Sequence, residues 1–243
     1  MCALKLVQTI ETMEGEGARV KRLMPVGGLR NFDPIVLWDH FLLEAGMGFP
    51  DHPHRGFEGI TYLFKGEMHH KDNLGNSEKI LAGGVQRFTA GGGIVHSEMP
   101  SQTGKTEGIQ LWINLAKKDK PLPPAYHQLQ ADDLPVERQD GITRTTIIGN
   151  GSPLALHTET LYQRIDIDGN RTLQQVIPDR MQGVLYVADG KVRVGTIEAR
   201  AGDAILIEQE TSLDIQALES SSLMLCVGKP HGEPIIQYGP FVD

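Results

Sequence analysis

Two short segments carry the side chains best suited to chemistry. Pro50-Asp-His-Pro-His-Arg-Gly-Phe-Glu58 sets His52 and His54 two residues apart, and Gly91-Gly-Gly-Ile-Val-His-Ser-Glu-Met-Pro100 sets His96 and Glu98 at the same spacing. In an extended chain, residues i and i+2 point to one face, so each pair aims two donor atoms at one point. Two such pairs meeting across a barrel form a shell of three imidazoles and one carboxylate. That shell leaves two positions open on an octahedral ion, as a substrate or dioxygen requires. Nitrogen and carboxylate donors without thiolate suit Fe, Mn, Ni, Co, Cu or Zn.

The elements that must position these residues read as strands. Short apolar or alternating runs recur between turn signals at Pro34–Trp38, Gly59–Phe64, Gly108–Leu115, Gly183–Val187, Ala204–Ile207 and Ser222–Val227, and long 3.6-residue periodicity is scarce. Many short strands at punctuated intervals predict a mainly β barrel or sandwich. An internal repeat divides the chain in two. Gly59-Ile-Thr-Tyr-Leu-Phe-Lys-Gly66 matches Gly183-Val-Leu-Tyr-Val-Ala-Asp-Gly190, and Ala82–Phe88 parallels Ala201–Ile207. Proline-rich Lys120-Pro-Leu-Pro-Pro124 cannot continue a central strand, which puts the boundary there, with residues 1–122 as one domain and 123–243 as the other.

The repeat also serves as a control. Counted from Gly59/Gly183, His52 and His54 fall on Val176 and Pro178; counted from Ala82/Ala201, His96 and Glu98 fall on Ile215 and Ala217. All four candidate ligands vanish together in the second half, which reads as a metal-free copy.

The 243 residues carry a net charge of -8, which disfavours direct nucleic-acid binding because phosphate neutralisation needs a basic field. No run approaches the ~20 apolar residues of a membrane helix, and the N-terminus lacks the pattern of a signal peptide. Cys2 and Cys226 are too few for a disulfide framework and are expected as reduced thiols of a cytoplasmic protein. A monomer is expected, since two lobes packed together cover most strand edges.

Asp33-Pro34 with Trp38-Asp39-His40-Phe41, Phe49–Glu58, Gly91–Pro100, Gly108-Ile-Gln-Leu-Trp-Ile-Asn114 and Pro234-Ile-Ile-Gln-Tyr-Gly-Pro-Phe241 together resemble the pirin family over nearly the whole chain. The resemblance implies two tandem cupin (double-stranded β-helix, jelly-roll) barrels with Fe(II) in the N-terminal one, on His52, His54, His96 and Glu98. It also implies a quercetin 2,3-dioxygenase activity that opens a flavonol with dioxygen and releases carbon monoxide. Glu98 is then the catalytic base. The rival implication is a regulator whose iron redox state alters its binding to transcription factors or metabolic enzymes. Glu58 fits the wider cupin pattern H-x-H-x3-E, but the pirin resemblance assigns that role to Glu98 and leaves Glu58 an outer-shell or structural residue. Departures from the family are His40, where an acidic residue is expected, and a chain that stops just after Gly-Pro-Phe-Val.

Other residues have plainer readings. His40 is expected to be packed or hydrogen-bonded. His69 and His70 face opposite ways, so at most one looks inward. His127, His157 and His231 lack a partner at ligand spacing. Gly91–Gly93 reads as a tight turn aiming His96, and Arg19, Lys21, Arg22 and Arg30 as a solvated basic face or, alternatively, a dock for an acidic partner. Met47, Phe49, Phe57 and Met99 are candidates to line an apolar pocket.

Overall fold

The computed structural model describes residues 3–243; Cys2 lies outside the described residues. Glycine-punctuated runs pair into ladders throughout. In chain order the strands are β1 (Ala3–Gln8), β2 (Ile10–Glu14), β3 (Ala18–Met24), β4 (Ile35–Glu44), β5 (Phe49–His54), β6 (Phe57–Lys65), β7 (Glu67–Asp72), β8 (Ser77–Leu81), β9 (Val85–Thr89), β10 (Ile94–Pro100), β11 (Lys105–Asn114) and β12 (Ala125–Leu129). They continue as β13 (Val136–Gln139), β14 (Ile142–Ile148), β15 (Thr160–Ile167), β16 (Thr172–Val176), β17 (Gln182–Asp189), β18 (Lys191–Val194), β19 (Ile197–Arg200), β20 (Asp203–Glu208), β21 (Ser212–Ala217), β22 (Ser221–Gly228), β23 (Gln237–Tyr238) and β24 (Phe241–Val242). No helix among the described residues is long and apolar enough to cross a membrane.

The mainly β, two-barrel architecture expected from the sequence is the one that forms. One lobe, residues 10–133 and 231–243, joins a sheet of order β12-β9-β6-β11-β4-β3-β2 to a second of order β5-β10-β7-β8. The other lobe, residues 3–9 and Leu134–Pro230, has sheets β1-β20-β17-β22-β15-β14-β13 and β16-β21-β18-β19. Strand for strand the two orders correspond.

The break lies between residues 133 and 134, not at 122/123, and both chain ends cross it. The physical reason is where ladder bonds go. The proline segment does end pairing, but it leads into β12, which pairs with β9 of the first lobe (Gln128↔Gln86). β1 fills the equivalent edge beside β20 in the second (Leu6↔Ile205). At the far end of the chain, Val242 returns to the first lobe. Its amide donates to the Arg55 carbonyl, and its own carbonyl accepts from Lys120 Nζ at 2.9 Å. Gly56 (φ +86°) admits this return, because a Cβ there would lie 1.7 Å from the Val242 oxygen.

Strand register also revises the internal alignment. Gly66 and Gly190 open matching hairpins, so Met68 corresponds to Val192; their partners across the ladder are Pro100 and Ala217. Reading back along β10 and β21, His96 and Glu98 correspond to Leu213 and Ile215, not to Ile215 and Ala217. His96 pairs with His52, and Leu213 with Gln175. The counterparts of His52 and His54 are therefore Gln175 and Ile177, not Val176 and Pro178. Two length differences cause the slip: the Gly91–Gly93 turn adds two residues to the first lobe, and the connection before β17 adds one to the second. The four counterparts are still poor ligands. Leu213, Ile215 and Ile177 belong to one apolar core with Leu185, Ile205 and Leu225.

Candidate metal centre

β5 and β10 are neighbours, and their alternation points His52, His54 and His96 to one side. Among the described residues these three form a group whose ligand atoms all lie within 4.8 Å of one another. His54 and His96 are buried and His52 is partly so. His52 Nδ1 lies 2.7 Å from the Pro50 carbonyl and His54 Nδ1 lies 3.3 Å from that of Pro240. A carbonyl only accepts, so both Nδ1 atoms carry the proton and both Nε2 atoms present lone pairs. His52 Nε2 and His96 Nε2 stand 3.2 Å apart, a spacing subtended by two ligands each about 2.0–2.1 Å from a shared ion. Burial, reinforced by the neighbouring imidazoles, lowers the His54 pKa to about 3 and drives that of His96 well below its ordinary value. His54 and His96 are therefore neutral at physiological pH, the form that binds metal.

Aromatic rings clamp this cluster. Phe88 stacks on His54 (5.4 Å, 16°) and meets His96 edge-on (4.5 Å), while Phe57 and Trp112 each meet His54 edge-on. The Phe88 ring lies over Gly59, where a Cβ would come within 2.2 Å of it. Only glycine at 59 lets Phe88 sit there.

Glu98 is buried and does not join the 4.8 Å group, but it lines the same cavity as His52 and His54. Its Oε1 accepts from the Thr61 hydroxyl (2.7 Å) and from Gln86 Nε2, and its Oε2 from Gln110 Nε2 (3.0 Å). All three donors are neutral, so no cationic partner among them offsets the attraction of this carboxylate for a metal ion. Tyr126 donates to Gln86 Oε1 (3.1 Å), which fixes the amide with its nitrogen toward Glu98. Thr61, Gln86 and Gln110 sit in one cross-strand row on β6, β9 and β11. Sequence reasoning missed them; the available signal was a polar residue interrupting each otherwise apolar strand.

The row extends to Asp39 and Arg22. Arg22 grips Asp39 with two bonds (2.8 and 2.6 Å) and Glu14 with a third (2.6 Å). It was expected on a solvated basic face, yet its side chain is only 17% exposed and lines the cavity. The cause is strand alternation, which turns Arg22 inward with Val20 and Arg19 outward. The cavity holds about 700 Å³. Of the four candidate lining residues only Phe49 borders it; Phe57 packs beneath His54, stacked on Trp112. Met99 alternates to the other face of β10, and Met47 packs against Gly17.

The remaining candidates sort cleanly. Glu58, on the face of β6 opposite Phe57 and Thr61, accepts from Thr89 (2.9 Å) and Arg87 (3.3 Å), the structural part expected of it. His40 bonds Glu107 (3.0 Å) and meets Phe64 edge-on. Of the adjacent pair, His69 faces Ser77 outside and His70 is the one that looks in, with its Nδ1 3.4 Å from His96 Nδ1. His231 bonds the Asn114 carbonyl.

Comparison with known proteins agrees with this architecture. The family model described as Pirin matches residues 17–113, and the Pirin C-terminal cupin domain matches residues 162–243. A pirin-like protein of Solanum lycopersicum is 38% identical, covering 94% of this chain and 82% of its own. Pirin of Homo sapiens is 36% identical, covering 96% and 84%. The crystal structure of quercetin 2,3-dioxygenase from Acinetobacter baumannii superposes with a TM-score of 0.91 at 27% identity, covering 98% of this chain and 90% of that one.

Proposed function

The chain belongs to the pirin family of two-cupin proteins, and from that premise we propose that it is an iron(II)-dependent dioxygenase cleaving the ring of a flavonol. His52, His54, His96 and Glu98 would hold the ion. The observation that carries this reading is the convergence of three imidazoles, two of which line one cavity together with a buried carboxylate. The volume of that cavity suits a fused aromatic substrate. The flavonol class is supported by the similarity to the Acinetobacter quercetin 2,3-dioxygenase. The residues fit the ion: three neutral nitrogens and one anion leave a divalent cation with net charge near +1, which still attracts an ionised hydroxyl. When bound, the ion supplies Lewis acidity and a redox-active centre beside the cavity.

The chain's own residues do the rest. His52 and His54 are held in the ligating tautomer by the carbonyls of Pro50 and Pro240. Glu98 is the cavity carboxylate that accepts the proton of the substrate hydroxyl, and Thr61, Gln86 and Gln110 keep it aimed. Leu37, Phe49 and Trp112 give the aromatic rings an apolar wall that excludes water. Arg22 and Asp39 offer polar contacts for hydroxyls at the far side.

The test is reconstitution with Fe(II) under nitrogen, then admission of air, following quercetin absorbance alongside carbon monoxide release. Turnover in the parent and none in His96→Ala is the expected result. One bound iron per chain without turnover would overturn the flavonol reading. It would favour the second one, a redox-dependent regulator recognising a protein partner through the same centre.

A further inference from the structure

His96 differs from its two fellow imidazoles in what stands behind it. His52 and His54 back onto peptide carbonyls, whereas His96 Nδ1 faces His70 Nδ1 at 3.4 Å. Behind that ring, His70 Nε2 lies 3.0 Å from Asp72 Oδ2. Neither the His70 nor the Asp72 side chain has any solvent exposure. Asp72 is itself pinned. Its Oδ1 accepts the amides of Leu74 (2.9 Å) and Asn76 (3.0 Å), and its Oδ2 accepts Asn76 Nδ2 (2.8 Å). Tyr126 stacks flat on the His70 ring (4.1 Å, 18°) and prevents it from turning away.

One tautomer set satisfies all of these contacts if His96 Nε2 is to present a lone pair. Asp72 is acceptor-only as a carboxylate, so His70 Nε2 carries the proton and His70 Nδ1 is an acceptor. His96 Nδ1 must then be the donor, which frees Nε2 on the side of His52 and His54. We propose that Asp72 and His70 form a buried relay that fixes this tautomer of His96 and makes it the strongest donor of the three histidines. His70 is thus a positioning residue for the metal centre. The inference rests on the reading that the three histidines hold a metal. Carboxylate-backed imidazoles are better bases than carbonyl-backed ones and typically account for about 10–100-fold in metal affinity.

The second lobe supplies an independent check. By register, Glu98 pairs with His70 and Ile215 pairs with Val194, so Val194 stands where His70 does. The β18–β19 hairpin turns immediately after Val194, leaving no counterpart of Asp72. The relay is absent from the lobe whose ligand positions are Gln175, Ile177, Leu213 and Ile215. A histidine kept for packing alone would not need a longer hairpin to bring a carboxylate behind it.

Co(II) is the probe, because its visible spectrum reports ligand strength and a competing chelator reports affinity. The parent is expected to bind one Co(II) per chain. His70→Phe should bind about 10–100-fold more weakly. His70→Gln, whose amide oxygen can accept from His96 Nδ1, should recover most of that loss. Asp72→Asn should shift the Co(II) bands and raise the Fe(III)/Fe(II) potential, with the metal-free melting temperature of each variant as control. Equal affinities and spectra for the parent, His70→Phe and Asp72→Asn would overturn the relay. So would losses in His70→Phe and His70→Gln that merely track the melting temperature. A parent that binds no Co(II) would overturn the metal reading itself, a separate and recognisable failure.

Discussion

The two lobes share a strand order and differ in one cross-strand row of side chains. In the first lobe the row runs Arg22, Asp39, Gln110, Thr61, Gln86, Gln128 across β3, β4, β11, β6, β9 and β12. In the second the matching row is Thr146, Gln163, Leu225, Leu185, Ile205, Leu6. Four polar positions, three of which bond Glu98, become aliphatic, and the charged pair becomes a neutral one, with Gln163 Nε2 donating to the Thr146 hydroxyl at 3.1 Å. One barrel gives its interior to the candidate site and the other to a core. Function lies in what is grafted on the fold, since the fold is common to both lobes.

Removing a ligand is the harshest way to break this contrast. His96→Ala should abolish metal binding, beyond the about 10–100-fold that loss of a supporting contact costs. The second lobe should keep its unfolding profile, as metal titration and denaturation together would show. Glu98→Gln keeps the shape of the side chain and removes the proton acceptor. Turnover of a flavonol should fall about 10²–10⁴-fold, measured by carbon monoxide release from metal-loaded protein.

The converse change tests the second lobe as a core. Leu185→Ala should cost about 2–5 kcal/mol in urea unfolding, the usual penalty for emptying an apolar interior, with Co(II) affinity unchanged. Its counterpart, Thr61→Val, should destabilise by only about 1 kcal/mol while weakening metal binding several-fold, because Gln86 and Gln110 still hold Glu98. A smaller metal effect for Thr61→Val than for Leu185→Ala would refute the division of labour.

Acid should expose the same asymmetry. His54 stays neutral in the folded lobe down to a pKa of about 3, while in the unfolded chain it protonates near its ordinary value of 6.5. Between those limits the unfolded chain binds the extra proton, so stability is full above pH 6.5 and is lost as pH falls through the window. His54 alone contributes a slope of up to about 1.4 kcal/mol per pH unit. Denaturant melts of metal-free protein at pH 7 and pH 5 would show the slope, and it should shrink in His54→Phe.

Much of the site could be read from the sequence because strand alternation is local. Two residues at i and i+2 share a face whatever the rest of the chain does, so the pairs His52/His54 and His96/Glu98 were visible, as was the paired loss of the candidate ligands in the second half. The two-lobe repeat was visible for the same reason, being carried by short runs with their own turns. What lies between strands was decided only by the tertiary structure. Register depends on loop lengths and on long-range pairing, and a two-residue turn insertion at Gly91–Gly93 was enough to move the counterpart of His96 from Ile215 to Leu213. The exchange of β1 and β12, the polar row beside Glu98, the inward turn of Arg22, and the placing of His70 and Asp72 behind His96 all depend on which strand lies next to which. A single strand's pattern says which face a side chain takes, and only the assembled sheet says what it meets there.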